Sequence, residues 1–174
     1  LCMPAMCMRF WPGWDWLREH VRRGTFGAVK SAVFSRLGTR PQWNRFYADP
    51  RESGGALFDL HFHDADFVRW CFGEPPSVAS TGTLDHVTTL YRFDADGPVH
   101  VVAEGAWNHT PRFAFRMRFV VVFEHATADF DLVSRTCEEH GERAPQPSAS
   151  ADPDPHPAGL TCVLASRPVR EGSF

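Results

Sequence analysis

The stretch that decides the fold is GGALFDLHFHDADFVRWCFGEP, running from Gly54 to Pro75. Gly54-Gly55 opens it, and Phe72-Gly73 followed by Pro75-Pro76 closes it, so turn signals bound a helix-length interior. Leu57, Phe58, Leu60, Phe62, Phe67, Val68 and Trp70 leave it apolar on most sides, the pattern of a buried helix. Against that background Asp59, His63 and Asp66 stand at i, i+4 and i+7. At about 100° per residue they fall within roughly 60° of one another and form one polar stripe. Burying such groups costs several kcal/mol per uncompensated charge, so the stripe must be ion-paired or must face a cleft. An arginine such as Arg9 would satisfy Asp66 structurally. For Asp59 and His63 the pattern points to a general acid/base histidine oriented by a carboxylate one turn away, placed to exchange a hydroxyl proton with substrate.

Working outward, Met8 to Gly24 places Trp14, Leu17 and Val21 at helical spacing, with Pro12 near the start and Gly24 as the C-terminal cap. Ala28–Leu37 mixes small, β-branched and aromatic residues and reads as a strand. A long loop rich in Arg, Pro and aromatics follows, from Gly38 to Ser53, and carries Trp43, Arg45, Phe46 and Tyr47. After the buried helix, strand-like runs recur at Val78–Leu84, Val87–Phe93, Val99–Trp107, Phe113–Phe123 and Thr127–Val133, with Asp96-Gly97 as a hairpin turn. The order predicts an α+β fold: an open, mostly antiparallel sheet of about six strands with helices packed on one face. Residues 1–138 form this domain. Residues 139–174 read as a proline-rich, irregular tail, since five of the chain's 14 prolines fall between Ala144 and Pro157.

The 174 residues are 43% hydrophobic and 22% charged, with 18 basic against 21 acidic side chains and a net charge of −3. No basic excess marks a nucleic-acid partner, and no run of about 18 apolar residues marks a membrane span. Five cysteines without regular spacing argue against a disulfide scaffold and for a reducing, cytoplasmic setting. The chain opens on Leu1 and reads as a piece of something longer. Neither GxGxxG nor GxxxxGK[ST] occurs, and Lys30 is the only lysine, so no cofactor-binding residues are assigned in this chain. His61 and His63 offer an alternative reading as metal ligands. The run imitates the HxHxDH of metallo-hydrolases, but Ala65 and Asp66 occupy positions where that motif needs Asp and His. On a helix His61 and His63 point about 160° apart and cannot share one ion. No metal ligands are assigned.

The run MRFWPGWDWLREHVRRGTFGAV (from Met8 to Val29), the GG-x3-D-x3-H-x2-D pattern from Gly54 to Asp66 and the late FEHATADFDL (from Phe123 to Leu132) together resemble the second domain of Gfo/Idh/MocA-type oxidoreductases. The likeness runs from Met8 to about Leu132 in register. It implies the C-terminal, substrate-side domain of a two-domain enzyme whose N-terminal Rossmann domain, absent here, binds NAD or NADP. It implies that His63 exchanges the proton of a sugar, cyclic polyol or related hydroxy compound, and that Asp59 holds the substrate or orients the histidine. Asp66 matches the third position and is structural, while Trp43 and Arg45 lie where substrate contacts vary. The isolated chain is then expected to be inactive, and the open sheet face to hold a homo-oligomer together. Two alternatives remain from the sequence: a non-catalytic binding or oligomerisation module of the same fold, or a metal-dependent hydrolase using His61 and His63.

Overall fold

A computed structural model of the chain describes residues 2–94, 97–98, 100–133 and 160–164. Helix α1, Pro12–Arg23, starts with proline at its first position, where no amide donor is needed. It stops at Gly24, whose left-handed backbone (φ 63°, ψ 26°) returns an amide to the His20 and Val21 carbonyls. Its Trp14 and Leu17 are buried, and the Trp14 ring meets Phe119 and Phe130 edge-on at 5.4 and 4.9 Å. These two phenylalanines belong to the sheet beneath.

Among the described residues that sheet has seven strands: β1 (Val29–Leu37), β2 (Ser77–Thr83), β3 (His86–Arg92), β4 (His100–Ala106), β5 (Arg116–Phe123), β6 (Ala126–Val133) and β7 (Leu160–Leu164). They lie in the order β2-β3-β4-β1-β5-β6-β7. Every neighbouring pair is antiparallel except β1 with β4, whose parallel register sets Ala32 against Val101 and Phe34 against Ala103. That one parallel pair requires a crossover, and the helix carrying the polar stripe is part of it, along with β2 and β3. Alternation along the strands sends Ala32, Phe34, Val101, Ala103, Phe119, Val121 and Ala128 toward the helices, all buried. Phe67, Val68 and Cys71 face them from above.

The six expected strands are all present, on an open sheet with helices on one face. Three particulars differ from the sequence expectation, and a fourth lies outside the described residues. A seventh strand, β7, pairs with β6 inside the segment read as irregular; the rest of residues 139–174 lies outside the described residues. Asp96 of the expected hairpin turn lies outside them as well, although β3 and β4 do pair antiparallel. Strand β5 begins at Arg116 rather than Phe113, because the Phe113 ring stacks instead on His109 at 4.2 Å. Finally, the buried helix is not one uninterrupted α-helix.

It opens with a π-helical turn, Leu57–His61, in which the Phe62 amide reaches back five residues to the Leu57 carbonyl. Helix α2, Phe62–Phe72, continues from it without a break. The wider turn rotates the segment, so its apolar residues are not all inward. Phe58 is 66% exposed and Phe62 43%, while the polar His61 and Asp64 are buried in their place. Isolated π turns inside helices occur often at functional sites.

Candidate functional site

The π turn is held in place at its start. Gly55 has a left-handed backbone (φ 70°), and a Cβ there would stand 2.4 Å from the Leu84 carbonyl oxygen. Only glycine permits that approach, and it lets the Leu57 amide donate to the same carbonyl at 2.9 Å. The β2–β3 turn that supplies Leu84 also supplies Asp85. Its carboxylate accepts the Trp107 indole N–H at 2.5 Å and pairs with Arg40, whose guanidinium lies over the Trp107 ring. One turn therefore anchors both the start of the polar helix and the loop after β1.

The polar side chains between Asp59 and Asp66 separate into two groups. Three are tied to other elements. Asp66 takes a two-pronged bond from Arg9, at 2.9 Å from Nε and 2.6 Å from Nη2, as the sequence suggested. Asp64 takes a second from Arg36 of β1, at 3.0 and 2.8 Å, with both side chains almost fully buried. The His61 Nε2 and Thr89 Oγ1 of β3 lie 2.7 Å apart in a hydrogen bond, and Ser80 Oγ continues the chain at 2.8 Å.

Asp59 and His63 form the second group. Both are half-buried, and among the described residues neither has a hydrogen-bonding or ion-pair partner. The His63 Nδ1 is shut off from solvent without one. Burial pushes the His63 imidazole below its ordinary pKa, and the Arg36 guanidinium adds to this; Asp64, Asp59 and Asp66 oppose it. Burial pushes the Asp59 carboxyl up, against the pull of His63 and Arg36. The two groups thus feel each other electrostatically, but no hydrogen bond joins them among the described residues. His63 is poised as a neutral imidazole near neutral pH, able to accept a proton.

The loop residues stand apart from this pair. Trp43 is 79% exposed and Arg45 is exposed. The Trp43 ring meets Tyr47 at 5.4 Å, and Tyr47 meets the buried Trp107 at 5.9 Å, so the loop rests on the sheet through aromatic contacts. Among the described residues no bond or ring contact links Trp43 or Arg45 to Asp59 or His63. His61 and His63 are likewise not brought together: His61 faces Thr89. Among the described residues no group of three or more His, Cys, Asp or Glu is placed to hold a metal ion. A cleft of about 510 Å³ opens on the His61 flank, lined by Leu57, Val78, Thr89 and Tyr91 among others, and neither Asp59 nor His63 lines it.

Sequence reasoning missed Arg36. The signal was available, since alternation along VKSAVFSRL puts Arg36 on the same face as Ala32 and Phe34. A cation on a core face requires a buried anion, and Asp64 is that anion.

Residues 14–129 match the model of the GFO/IDH/MocA C-terminal domain. An uncharacterized oxidoreductase of Synechocystis sp. is 34% identical over 83 residues, which are 45% of this chain and 22% of that protein. Levoglucosan dehydrogenase in complex with NADH and levoglucosan superposes with a TM-score of 0.61 at 18% identity, over 94% of this chain and 46% of that one. An oxidoreductase from Thermotoga maritima gives a TM-score of 0.62 at 14% identity, over 92% and 48% of the two chains. At these identities the likeness is one of fold, and this chain spans less than half the length of either structure.

Proposed function

The chain belongs to the GFO/IDH/MocA oxidoreductase family, and from that premise we propose that it is the substrate-binding and catalytic domain of an NAD(P)-dependent oxidoreductase acting on a sugar, cyclic polyol or related hydroxy compound. One observation carries the proposal. Of the five ionisable side chains between Asp59 and Asp66, three are bonded to Arg9, Arg36 and Thr89, while Asp59 and His63 are left half-buried and unbonded, side by side in electrostatic terms. Half-buried polar groups left without a partner, with titration shifted by burial, are the groups a bound substrate can engage.

His63 then acts as acid/base, taking the hydroxyl proton of the alcohol during oxidation and returning it during reduction. Asp59 stabilises the imidazolium that results and receives a substrate hydroxyl. Trp43 and Arg45 contribute substrate contacts from the loop. A sugar-like substrate is supported by the fold's occurrence in levoglucosan dehydrogenase bound to NADH with levoglucosan or L-sorbose.

The described residues do not fit a dinucleotide themselves. The amides at the start of the π turn are taken, Gly55 by Ser53 Oγ and Leu57 by the Leu84 carbonyl, and Lys30 is exposed on β1. Cofactor binding, to NAD or NADP, is therefore assigned to a domain outside this chain, and the chain by itself is inactive. No described helix is long and apolar enough to cross a membrane, and a cytoplasmic setting accords with Cys2, Cys7 and Cys71, which are free among the described residues. The helix-free sheet face, where Val33 is 43% exposed, is the surface for a homo-oligomer.

The test is turnover of the complete enzyme on a panel of polyols and sugars, followed by nicotinamide absorbance. His63→Ala is expected to lower kcat by about 10²–10⁴-fold with little change in binding. Turnover equal to the parent enzyme would sink the catalytic assignment.

A further inference from the structure

Arg36 stands on the central strand, 4% exposed, and Asp64 is 1% exposed. All three guanidinium nitrogens are engaged: Nε and Nη2 grip the two carboxylate oxygens, and Nη1 reaches the Met117 sulfur at 3.1 Å. A buried pair of this kind is weak evidence for stability, since apolar side chains of the same volume often serve as well or better. Its value lies in where it holds the chain. Asp64 directly follows His63, and two residues before His63 the His61 ring is fixed to Thr89 of β3. His63 thus sits between two attachments, one to β1 and one to β3. On the sheet side Gly105 admits this contact, with His61 Cβ only 2.8 Å from where its own Cβ would be.

We propose that the Arg36–Asp64 pair is a positioning pair for His63, fixing the rotation and height of the helical segment over β1 so that the imidazole is presented in one orientation. The inference rests on His63 being the acid/base. The charged groups facing His63 are Asp59, Asp64 and Asp66 from its own segment and Arg36 from β1. Asp66 is itself engaged by Arg9.

The experiment is an NMR titration of the His63 ring in the full chain, parent and variants side by side. Asp64→Asn removes an anion and leaves the cation, and is expected to lower the His63 midpoint by about half a pH unit or more. Arg36→Met does the reverse and is expected to raise it by a similar amount. Because a single deletion strands a buried charge and threatens the fold, the double variant Arg36→Met/Asp64→Leu decides the case. It is expected to melt within a few degrees of the parent while the His63 midpoint rises, because a ring no longer held in one place over β1 loses part of the burial that lowers it. If the folded double variant keeps the parent midpoint, the pair is structural only and the proposal is overturned. Failure of the double variant to fold overturns it equally. The acid/base assignment stands or falls separately, on the turnover of His63→Ala in the complete enzyme.

Discussion

Gly105 lies on β4 under the π turn, and its substitution tests how firmly that turn is seated. A Cβ at position 105 would stand 2.8 Å from His61 Cβ, 3.2 Å from its Cα and 3.3 Å from its amide nitrogen. Non-bonded carbons rest at about 3.5–4.0 Å, so the turn would have to retreat by about 1 Å. His61 has little freedom to yield, being bonded to Thr89 and carried on backbone that is itself in the π turn. Overpacking of this kind costs about 1–3 kcal/mol. Gly105 is not among the glycines with positive φ, so alanine adopts its backbone without strain and recovers about 0.5–1 kcal/mol of chain entropy. The net loss is about 1 kcal/mol and at most about 2.5 kcal/mol. For a chain of this size each kcal/mol moves Tm by about 2–4 °C, so Gly105→Ala should melt about 2–4 °C below the parent by calorimetry, and at most about 10 °C below it. Gly105→Val should fall further. In the complete enzyme the same 1 Å retreat should lower turnover by up to about 100-fold. A Gly105→Ala variant that melts at or above the parent temperature would show that the helix is not pressed on β4 as described.

Three further outcomes follow from the same contacts. Thr89→Val keeps the shape of the side chain but leaves the buried His61 ring without its partner; a loss of about 1–3 kcal/mol is expected in urea unfolding, and none would mean the bond is not formed. Burial depresses both His61 and His63 below their ordinary value of 6.5, so the unfolded chain binds protons first as pH falls; stability complete above about pH 6.5 should decline below it, by up to about 1.4 kcal/mol per pH unit per histidine. The raised Asp59 carboxyl acts in the opposite sense at lower pH, and a His61→Gln/His63→Gln variant should flatten the decline seen between pH 6.5 and 5 in thermal melts. Burial pushes the Cys71 thiol up to about 12, so Cys71 should resist alkylation in the folded chain while the exposed Cys2 and Cys7 react, as peptide mass mapping would show; labelling of Cys71 at the same rate would contradict its place in the core.

Much of this architecture was legible because burial imposes periodicity. Strand alternation and turn residues marked six strands, and Pro12 and Gly24 bounded α1. The Arg9–Asp66 pair was anticipated because a buried carboxylate needs a cation. The π turn was not, since a period of 3.6 residues says nothing about one amide reaching back five residues instead of four. That shift exposes Phe58 and Phe62 and turns Asp64 inward, so the apolar count misjudged which side chains were buried. The β7 strand was missed because LTCVL is too short, beside a proline-rich run, to announce its pairing with β6. Asp59 and His63 were singled out by their spacing and by the resemblance; that they lack partners among the described residues was not in the sequence, because partners come from β1, β3 and the chain before α1.

The distribution of those partners bears on why this helix tolerates so much charge. A segment carrying three carboxylates and two imidazoles between residues 59 and 66 would be repelled from an apolar core unless each group were compensated. Arg36, Arg9 and Thr89 compensate three from three separate elements, and in doing so they determine the azimuth of the helix as an apolar seam would not, because a two-pronged guanidinium bond fails if the helix rotates. The two groups left over then have their direction set by their neighbours' bonds. A strictly apolar helix at this position could be as stable, but it would not fix where residues 59 and 63 point. The ion pairs are therefore best understood as serving orientation, and loss of turnover without loss of stability in Arg36→Met/Asp64→Leu is the signature that separates that role from simple packing.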